Sequence, residues 1–283
     1  MKYPLLVTLV VSTLIPVVCL AAQDAPPPAA TPAATANDPF VRLNAVFTRI
    51  VDKSKSGPVT ADDIAPELKE MDEIIASTKG MQGDQYSTLY LMRARVYVEL
   101  LEDYPTGLAM LKQVKADFPK AYAAGQVGKI TSSIEEKMAN DSTLYIGKVF
   151  PPFSEKDLNG KPISTAKMKG KIVLVSFWAS WSGQCVSDLT SQEALYQKYH
   201  DKGFEIIGIS VDEERNDLKA MLAKKSPPWP QYCDGRGWKG RLVHQYGVTA
   251  VPFSCLLDGE GKIIGKNLRG PALEQKLAKL FGQ

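Results

Sequence analysis

Thiol and imidazole side chains are scarce in this sequence of 283 residues, which has four cysteines and two histidines. The sequence also lacks metal-binding spacings of cysteine and histidine, a glycine-rich phosphate loop and the pattern of a hydrolase triad. These absences argue against a metalloenzyme, a nucleotide-binding enzyme and a serine hydrolase. We therefore expect neither a metal ion nor another cofactor.

An excess of charge of one sign is also lacking, since the formal net charge is only +3. Such a balance gives no reason to expect a nucleic-acid partner. The content of hydrophobic residues, 45%, and of charged residues, 23%, is ordinary for a soluble globular protein. The length favours two domains.

The amino terminus has the pattern of a secretory signal. Lys2 precedes the apolar run LLVTLVVSTLIPVV, and the small residues of CLAA suit cleavage after Ala21. We predict a signal peptide over residues 1–22 and export to the periplasm or the extracellular face of the cell envelope. The alternative is an uncleaved anchor, because the apolar run is just short of spanning length. Contact with a membrane is expected only in that case.

Residues 23–38 are predicted to be an extended linker, because QDAPPPAATPAATAN has almost no large apolar side chains. Residues 39–142 show helical periodicity and predict an all-α domain. Within it, the order of five residues resembles one degenerate tetratricopeptide helix pair. Two interpretations stay open, a small helical bundle and a peptide-binding groove that would give the protein a second partner surface. The five residues are Ala94, Tyr97, Gly107, Leu111 and Pro119.

From residue 145 to residue 283 the pattern changes to strands that alternate with helices. Residues 172–177 and 204–211 are continuous apolar runs of the kind found in strands buried on both faces. The turn DGEG joins two further predicted strands as a hairpin. This alternation predicts a mainly parallel sheet covered by helices.

The segments SFWASWSGQC, ISVDEE, GVTAVPF and LLDGEGKIIGKNLRG follow one another in this region. Their order resembles that of TlpA/ResA-like thioredoxin-fold proteins, in which a buried strand leads into a W-C-x-x-C turn. The resemblance implies a thioredoxin-like α/β domain after the helical domain. It also implies a cis bond at Val251-Pro252, where the Val251 backbone would face an extended peptide or a protein thiol.

The resemblance places Ser182 and Cys185 at the positions of the first and second thiols of the turn. In such a site a thiolate at a helix amino terminus attacks a disulfide, and the second thiol resolves the mixed disulfide. A serine hydroxyl is hardly ionised near neutral pH without an adjacent base, so dithiol cycling is excluded. We interpret Ser182 as a helix N-cap, with stabilisation of a partner's thiolate as the alternative.

Three cysteines remain after export, so at most one intramolecular disulfide forms. Cys185 is either a shielded, inert thiol or a lone redox cysteine. Cys233, in WPQYCDGRGW, is a candidate resolving cysteine for Cys185 if their Cα atoms are close enough. Cys255 is interpreted as a small buried hydrophobic residue.

Two pairs of residues near the turn have alternative interpretations. Trp178 is expected to pack under the helix and Trp181 to form a rim that contacts partners. Asp212 and Glu213, at the end of a predicted strand, are expected to lie in a solvated loop, with a role as proton acceptors as the alternative.

Three functions remain open at this point. The first is an exported, redox-degenerate binding or scaffold module of the thiol-disulfide oxidoreductase family, with a groove beside Pro252. The second is a one-cysteine enzyme, a peroxiredoxin-like peroxidase or a disulfide-exchange enzyme, that uses Cys185 either alone or with Cys233 as the resolving thiol. The third is a helical-repeat adaptor.

Overall fold

The computed structural model describes residues 37–55, 59–81, 83–140 and 144–282. The predicted signal peptide and almost all of the predicted linker lie outside these residues. The chain forms two compact units, divided between Ile134 and Glu135, which are described one at a time. Within the described ranges, none of the helices combines the length and the apolar character needed to cross a membrane.

The first unit is helical, as the periodicity predicts. The side chain of Asp38 caps the first helix by accepting a hydrogen bond of 2.8 Å from the Phe40 amide, and Asp103 caps the fourth by accepting one of 3.1 Å from the Thr106 amide. The third helix runs directly into one π-helical turn, Val96–Leu100. The helices are α1 (Pro39–Ser54), α2 (Ala65–Ser77), α3 (Asp84–Arg95), α4 (Tyr104–Asp117) and α5 (Tyr122–Ala139), the last of which crosses the division between the units.

Apolar residues at helical spacing build the core of this unit. Leu43, Val46 and Ile50 lie on the buried face of α1 and pack with Met71 and other residues of α2 and α3. Helices α3 and α4 approach closely at Gly107, whose position leaves no room for a side chain beside Val98. This helix pair is at the place predicted for the tetratricopeptide-like pair, and that interpretation stays a prediction.

The second unit has a five-stranded sheet in the order β5-β4-β3-β6-β7. Strands β3, β4 and β5 are parallel, and β6 and β7 run antiparallel as a closing hairpin. The strands of the sheet are β3 (Ile172–Trp178), β4 (Phe204–Ser210), β5 (Gln231–Tyr232), β6 (Phe253–Leu257) and β7 (Ile263–Lys266), and a separate hairpin precedes it, β1 (Ser154–Lys156) with β2 (Pro162–Ser164). The helices are α6 (Gly183–Tyr199), α7 (Arg215–Lys225), α8 (Arg241–Gln245) and α9 (Gly270–Leu280). The predicted thioredoxin-like α/β fold is confirmed.

Alternate side chains of β3 contribute to two buried clusters, one on each face of the sheet. Phe177 belongs to the cluster that contains Cys255, and we call it the Phe177 cluster. Trp178 belongs to the cluster that contains Cys185 and Cys233, and we call it the Trp178 cluster. The turn after Trp178 therefore leaves the sheet at the carboxyl end of its central strand.

Candidate functional site

The turn between β3 and α6 ends at Ser182, which is the N-cap of α6. Its backbone is extended, with φ −93° and ψ 110°, and its hydroxyl accepts a hydrogen bond of 3.4 Å from the Cys185 amide. The Ser182 amide donates to the Ala179 carbonyl at 3.2 Å, which closes the turn. Ser182 thus satisfies one of the free amides at the start of the helix and keeps the turn in shape.

Asp212 holds the same turn from the end of β4. It is 2% exposed, and its carboxylate accepts hydrogen bonds from the Ser180 amide at 3.1 Å, from the Ser180 hydroxyl at 2.7 Å and from the Ser210 hydroxyl at 2.7 Å. The expectation of a solvated loop is wrong for this residue. Parallel pairing of β3 and β4 brings Ser180 and Asp212 together beyond the carboxyl ends of these two strands. Glu213, the next residue, is exposed.

All three described cysteines are free thiols, and all are buried. The exposed fraction is 1% for Cys185, 7% for Cys233 and 0% for Cys255. Cys185 and Cys233 share the Trp178 cluster but form no disulfide, and the Cys233 thiol donates instead to the Asp212 carbonyl at 3.5 Å. Cys255 lies in β6, in the cluster on the opposite face.

The two tryptophans of the turn have opposite environments. Trp178 is 1% exposed, and its indole nitrogen donates to the Gln231 side-chain oxygen at 2.9 Å. Trp181 is 62% exposed, and its ring centroid lies 6.4 Å from that of Trp238, which is 41% exposed. Two large aromatic side chains therefore face solvent directly beside Ser182, at a position where burial against a partner would be favourable.

The loop before β6 contains the cis peptide bond Val251-Pro252. Val251 is half-buried and packs against both clusters of the unit. Arg269, from the segment between β7 and α9, donates a hydrogen bond of 2.7 Å to the Pro252 carbonyl. The Arg269 side chain also lies 3.6 Å from a carboxylate oxygen of Asp188, so it connects this loop with α6.

The Asp188 carboxylate is almost fully buried one helical turn after Cys185. Burial raises its pKa, and the hydrogen bond from Gln184 and the charge of Arg269 offset only part of this increase. Within the described residues, no group of three or more His, Cys, Asp or Glu side chains is placed to hold a metal ion.

Comparison with known proteins supports one family. The Redoxin family model matches residues 146–279. The chain is 35% identical to the thiol-disulfide oxidoreductase ResA of Bacillus cereus over 139 residues, which are 49% of this chain and 78% of that protein. It is also 35% identical to ResA of Bacillus thuringiensis over 137 residues, which are 48% of this chain and 77% of that protein. The chain belongs to the redoxin family of ResA-like thiol-disulfide oxidoreductases.

A solved structure gives a further likeness of the same kind. The thioredoxin domain of a thiol-disulfide oxidoreductase from Bacteroides vulgatus is 32% identical, with a TM-score of 0.46, and the match covers 49% of this chain and 99% of that domain.

The W-C-x-x-C turn that the family resemblance implies would have its first cysteine where this chain has Ser182. In the structure Ser182 is the N-cap of α6. His200 follows the carboxyl end of α6, and the 17 residues of this helix separate it from Ser182 by about 25 Å. It is therefore too far away to act as a base for the serine hydroxyl.

Three residues beside the turn were missed by the sequence reasoning. Trp238 lies in a short 3-10 helix, Gly237–Lys239, and only the fold shows that its ring is near that of Trp181. Asp188 carried a weak signal, since it stands three residues after Cys185 and hence on the same helical face. Arg269 carried none, because its two partners are distant in sequence.

Proposed function

We propose that this member of the ResA-like family has lost dithiol cycling and serves outside the cytoplasm as a binding or scaffold module for extended polypeptides. The observation that carries the proposal is the state of the turn. Ser182 caps the helix at the end of the turn, and the nearest thiol along the chain, that of Cys185, is 1% exposed. A turn of this kind retains the geometry of the family site without an accessible nucleophile.

The proposed binding site is a groove between the turn and the Pro252 loop. Its rim is formed by Trp181 and Trp238, whose exposed rings can bury apolar side chains of a partner. The family resemblance assigns the Val251 backbone to pairing with an extended peptide, and an added strand is a common mode of peptide recognition. Proteins with extended segments that carry apolar side chains are the partner class that fits both features.

The binding proposal is tested by titrating the 15N-labelled chain with insulin B chain whose cysteines are alkylated. This probe is an extended polypeptide without free thiols. We expect shifts of the Trp181 indole and Val251 amide signals, and a Trp181→Ala variant should bind at least about tenfold more weakly, since truncation of a central tryptophan commonly has an effect of this size.

The matched control is Tyr122→Ala, which removes an aromatic side chain that is 69% exposed in the helical unit. This variant should bind as the wild type does. Unchanged Val251 signals, or equal affinity of the Trp181→Ala variant and the wild type, would refute the groove as the binding site. Loss of binding in the Tyr122→Ala variant would instead favour the helical-repeat adaptor.

A one-cysteine enzyme is a second candidate, favoured by the presence of Cys185 and Cys233 in one cluster. In this scheme the Cys185 thiolate attacks a peroxide, forms a sulfenic acid and releases an alcohol or water. The Cys233 thiol then displaces water to form a disulfide. Peptide mapping after stoichiometric hydrogen peroxide tests this scheme, because it predicts a Cys185–Cys233 disulfide whereas the binding module predicts three reduced thiols.

A further inference from the structure

A row of polar side chains joins the first turn of α6 to the loop before β6. The Gln184 side-chain amide donates to Asp188 at 3.0 Å, and Asp188 lies 3.6 Å from the Arg269 Nε. The Arg269 Nη2 then donates to the Pro252 carbonyl at 2.7 Å. Asp188 and Arg269 are distant in the chain, whereas Arg269 and Pro252 are 17 residues apart.

The two middle members of this row, Asp188 and Arg269, belong to α6 and to the segment before α9. Asp188 is 8% exposed on the inner face of α6, which also carries Cys185. Arg269 follows Asn267, whose side-chain oxygen accepts a hydrogen bond of 3.2 Å from the Ser254 amide and whose own amide donates to the Ser254 carbonyl. The backbone segment that carries Arg269 is therefore hydrogen-bonded to β6 two residues before it.

Arginine is suited to this place by its chemistry. Its planar group donates several hydrogen bonds in fixed directions, so it can serve a carboxylate and a carbonyl at once, whereas a lysine ammonium serves them less well. A buried carboxylate such as that of Asp188 is unfavourable unless it is paired. Removal of Arg269 would leave the Pro252 carbonyl without this donor and Asp188 with Gln184 alone.

We propose that Arg269 is a positioning residue that fastens the Val251-Pro252 loop to α6 and thereby keeps the Cys185 thiol covered. Val251 is one of the half-buried side chains that pack against the Trp178 cluster, to which Cys185 belongs. The same loop borders the proposed groove, so the inference deepens the proposed function and rests on it for the meaning of the groove. Its test uses only the native thiols.

The test is native-state alkylation with iodoacetamide, followed by peptide mapping, on the wild type and on Arg269→Gln. Cys255 reports global unfolding, because it is 0% exposed in an inner strand on the other face of the sheet. We expect the ratio of the Cys185 rate to the Cys255 rate to rise at least about fivefold in Arg269→Gln, since the lost hydrogen bonds involve a charged group. Arg269→Lys should give an intermediate ratio.

Arg93→Gln is the matched control, because Arg93 pairs with Asp72 in the helical unit and has a similar exposure to Arg269. This variant should leave the ratio unchanged. An unchanged ratio in Arg269→Gln, or a parallel rise of all three cysteine rates, would mean that Arg269 only stabilises the fold and would overturn the inference. If Arg269→Gln does not fold, the ratio of the Cys185 rate to the Cys255 rate is measured in Asp188→Asn and Arg269→Lys instead.

This outcome is separate from the outcome of the peptide titration. A raised ratio together with failed peptide binding would retain the positioning role and refute the binding function. Normal peptide binding with an unchanged ratio would retain the binding function and refute the positioning role of Arg269.

Discussion

At the scale of single residues, the hydroxyl of Ser182 accepts a hydrogen bond from the Cys185 amide at the start of α6. A thiolate at this place would draw its reactivity from the same free amides and from the helix dipole. A serine accepts the hydrogen bond but stays protonated, so it retains the local structure without the nucleophile. The side chain that remains reactive in principle, the Cys185 thiol, is buried under the turn.

A second single residue, Asp212, holds the turn between β3 and α6 through its carboxylate. Replacement by alanine should lower the free energy of unfolding by about 2–4 kcal/mol, since three hydrogen bonds to a buried charged acceptor are lost and their donors stay behind. Urea denaturation followed by tryptophan fluorescence measures this change. Glu213→Gln, a substitution at the neighbouring exposed acid, should change it little. Equal effects of the two substitutions would contradict the assigned role of Asp212.

At the scale of secondary-structure elements, the contact between α3 and α4 depends on Gly107. A methyl group at this position would collide with Val98, so Gly107→Ala should destabilise the protein by about 1–3 kcal/mol despite the better helix propensity of alanine. Gly125→Ala in α5 should stabilise it by about 0.5–1 kcal/mol, because no atom beyond the adjacent residues and the backbone of its own helix lies within 4 Å of the added carbon. Chemical denaturation followed by far-UV circular dichroism distinguishes the two. Stabilisation by Gly107→Ala would show that the helices are farther apart.

The contact between α1 and α2 carries a pH dependence. Burial alone would raise the pKa of Glu67, but the hydrogen bond from Lys53 and the charges of Lys53 and Arg49 outweigh it and leave the pKa below its ordinary value of 4.5. A carboxylate with a lowered folded-state pKa stabilises the fold above pH 4.5, and this contribution is lost as the pH falls through the folded-state pKa.

The expected result is that Glu67→Gln is less stable than the wild type at pH 7 and that the difference shrinks below pH 4.5. Denaturation of the intact chain at several pH values, followed by far-UV circular dichroism, measures it. Glu73→Gln, at an exposed acid in the same helix, should show no comparable change. A stability difference between Glu67→Gln and the wild type that does not depend on pH would refute the assignment.

Features of the site differ in how well the sequence predicted them, according to the range of the interactions involved. The capping role of Ser182 and the closing hairpin are local, so residue type and spacing predicted both. The burial of Asp212 depends on the register of β3 and β4, and the link from Asp188 to Pro252 depends on Arg269, more than 80 residues after Asp188 along the chain. Interactions of this range leave no periodic pattern in a single sequence, and for that reason Arg269 and Trp238 were found only in the structure.

At the scale of the whole molecule, the chain joins a helical unit to a thioredoxin-like unit that contains the candidate site. The turn, the capped helix, the cis-proline loop and the exposed tryptophans are all present. The proposed function accounts for their retention through binding, for which the accessible thiol is unnecessary.

The most direct test of this account is the turnover of insulin disulfide reduction, with dithiothreitol as the electron donor, by the wild type and by Ser182→Cys. The account predicts wild-type turnover at the background rate of dithiothreitol alone and measurable turnover for Ser182→Cys, because the substitution restores a thiol at the amino terminus of α6 next to Cys185. The double variant Ser182→Cys with Cys185→Ser should fall back to background, since the resolving thiol is gone. Wild-type turnover at the level of a dithiol enzyme would contradict the central claim that this turn has lost its redox cycle.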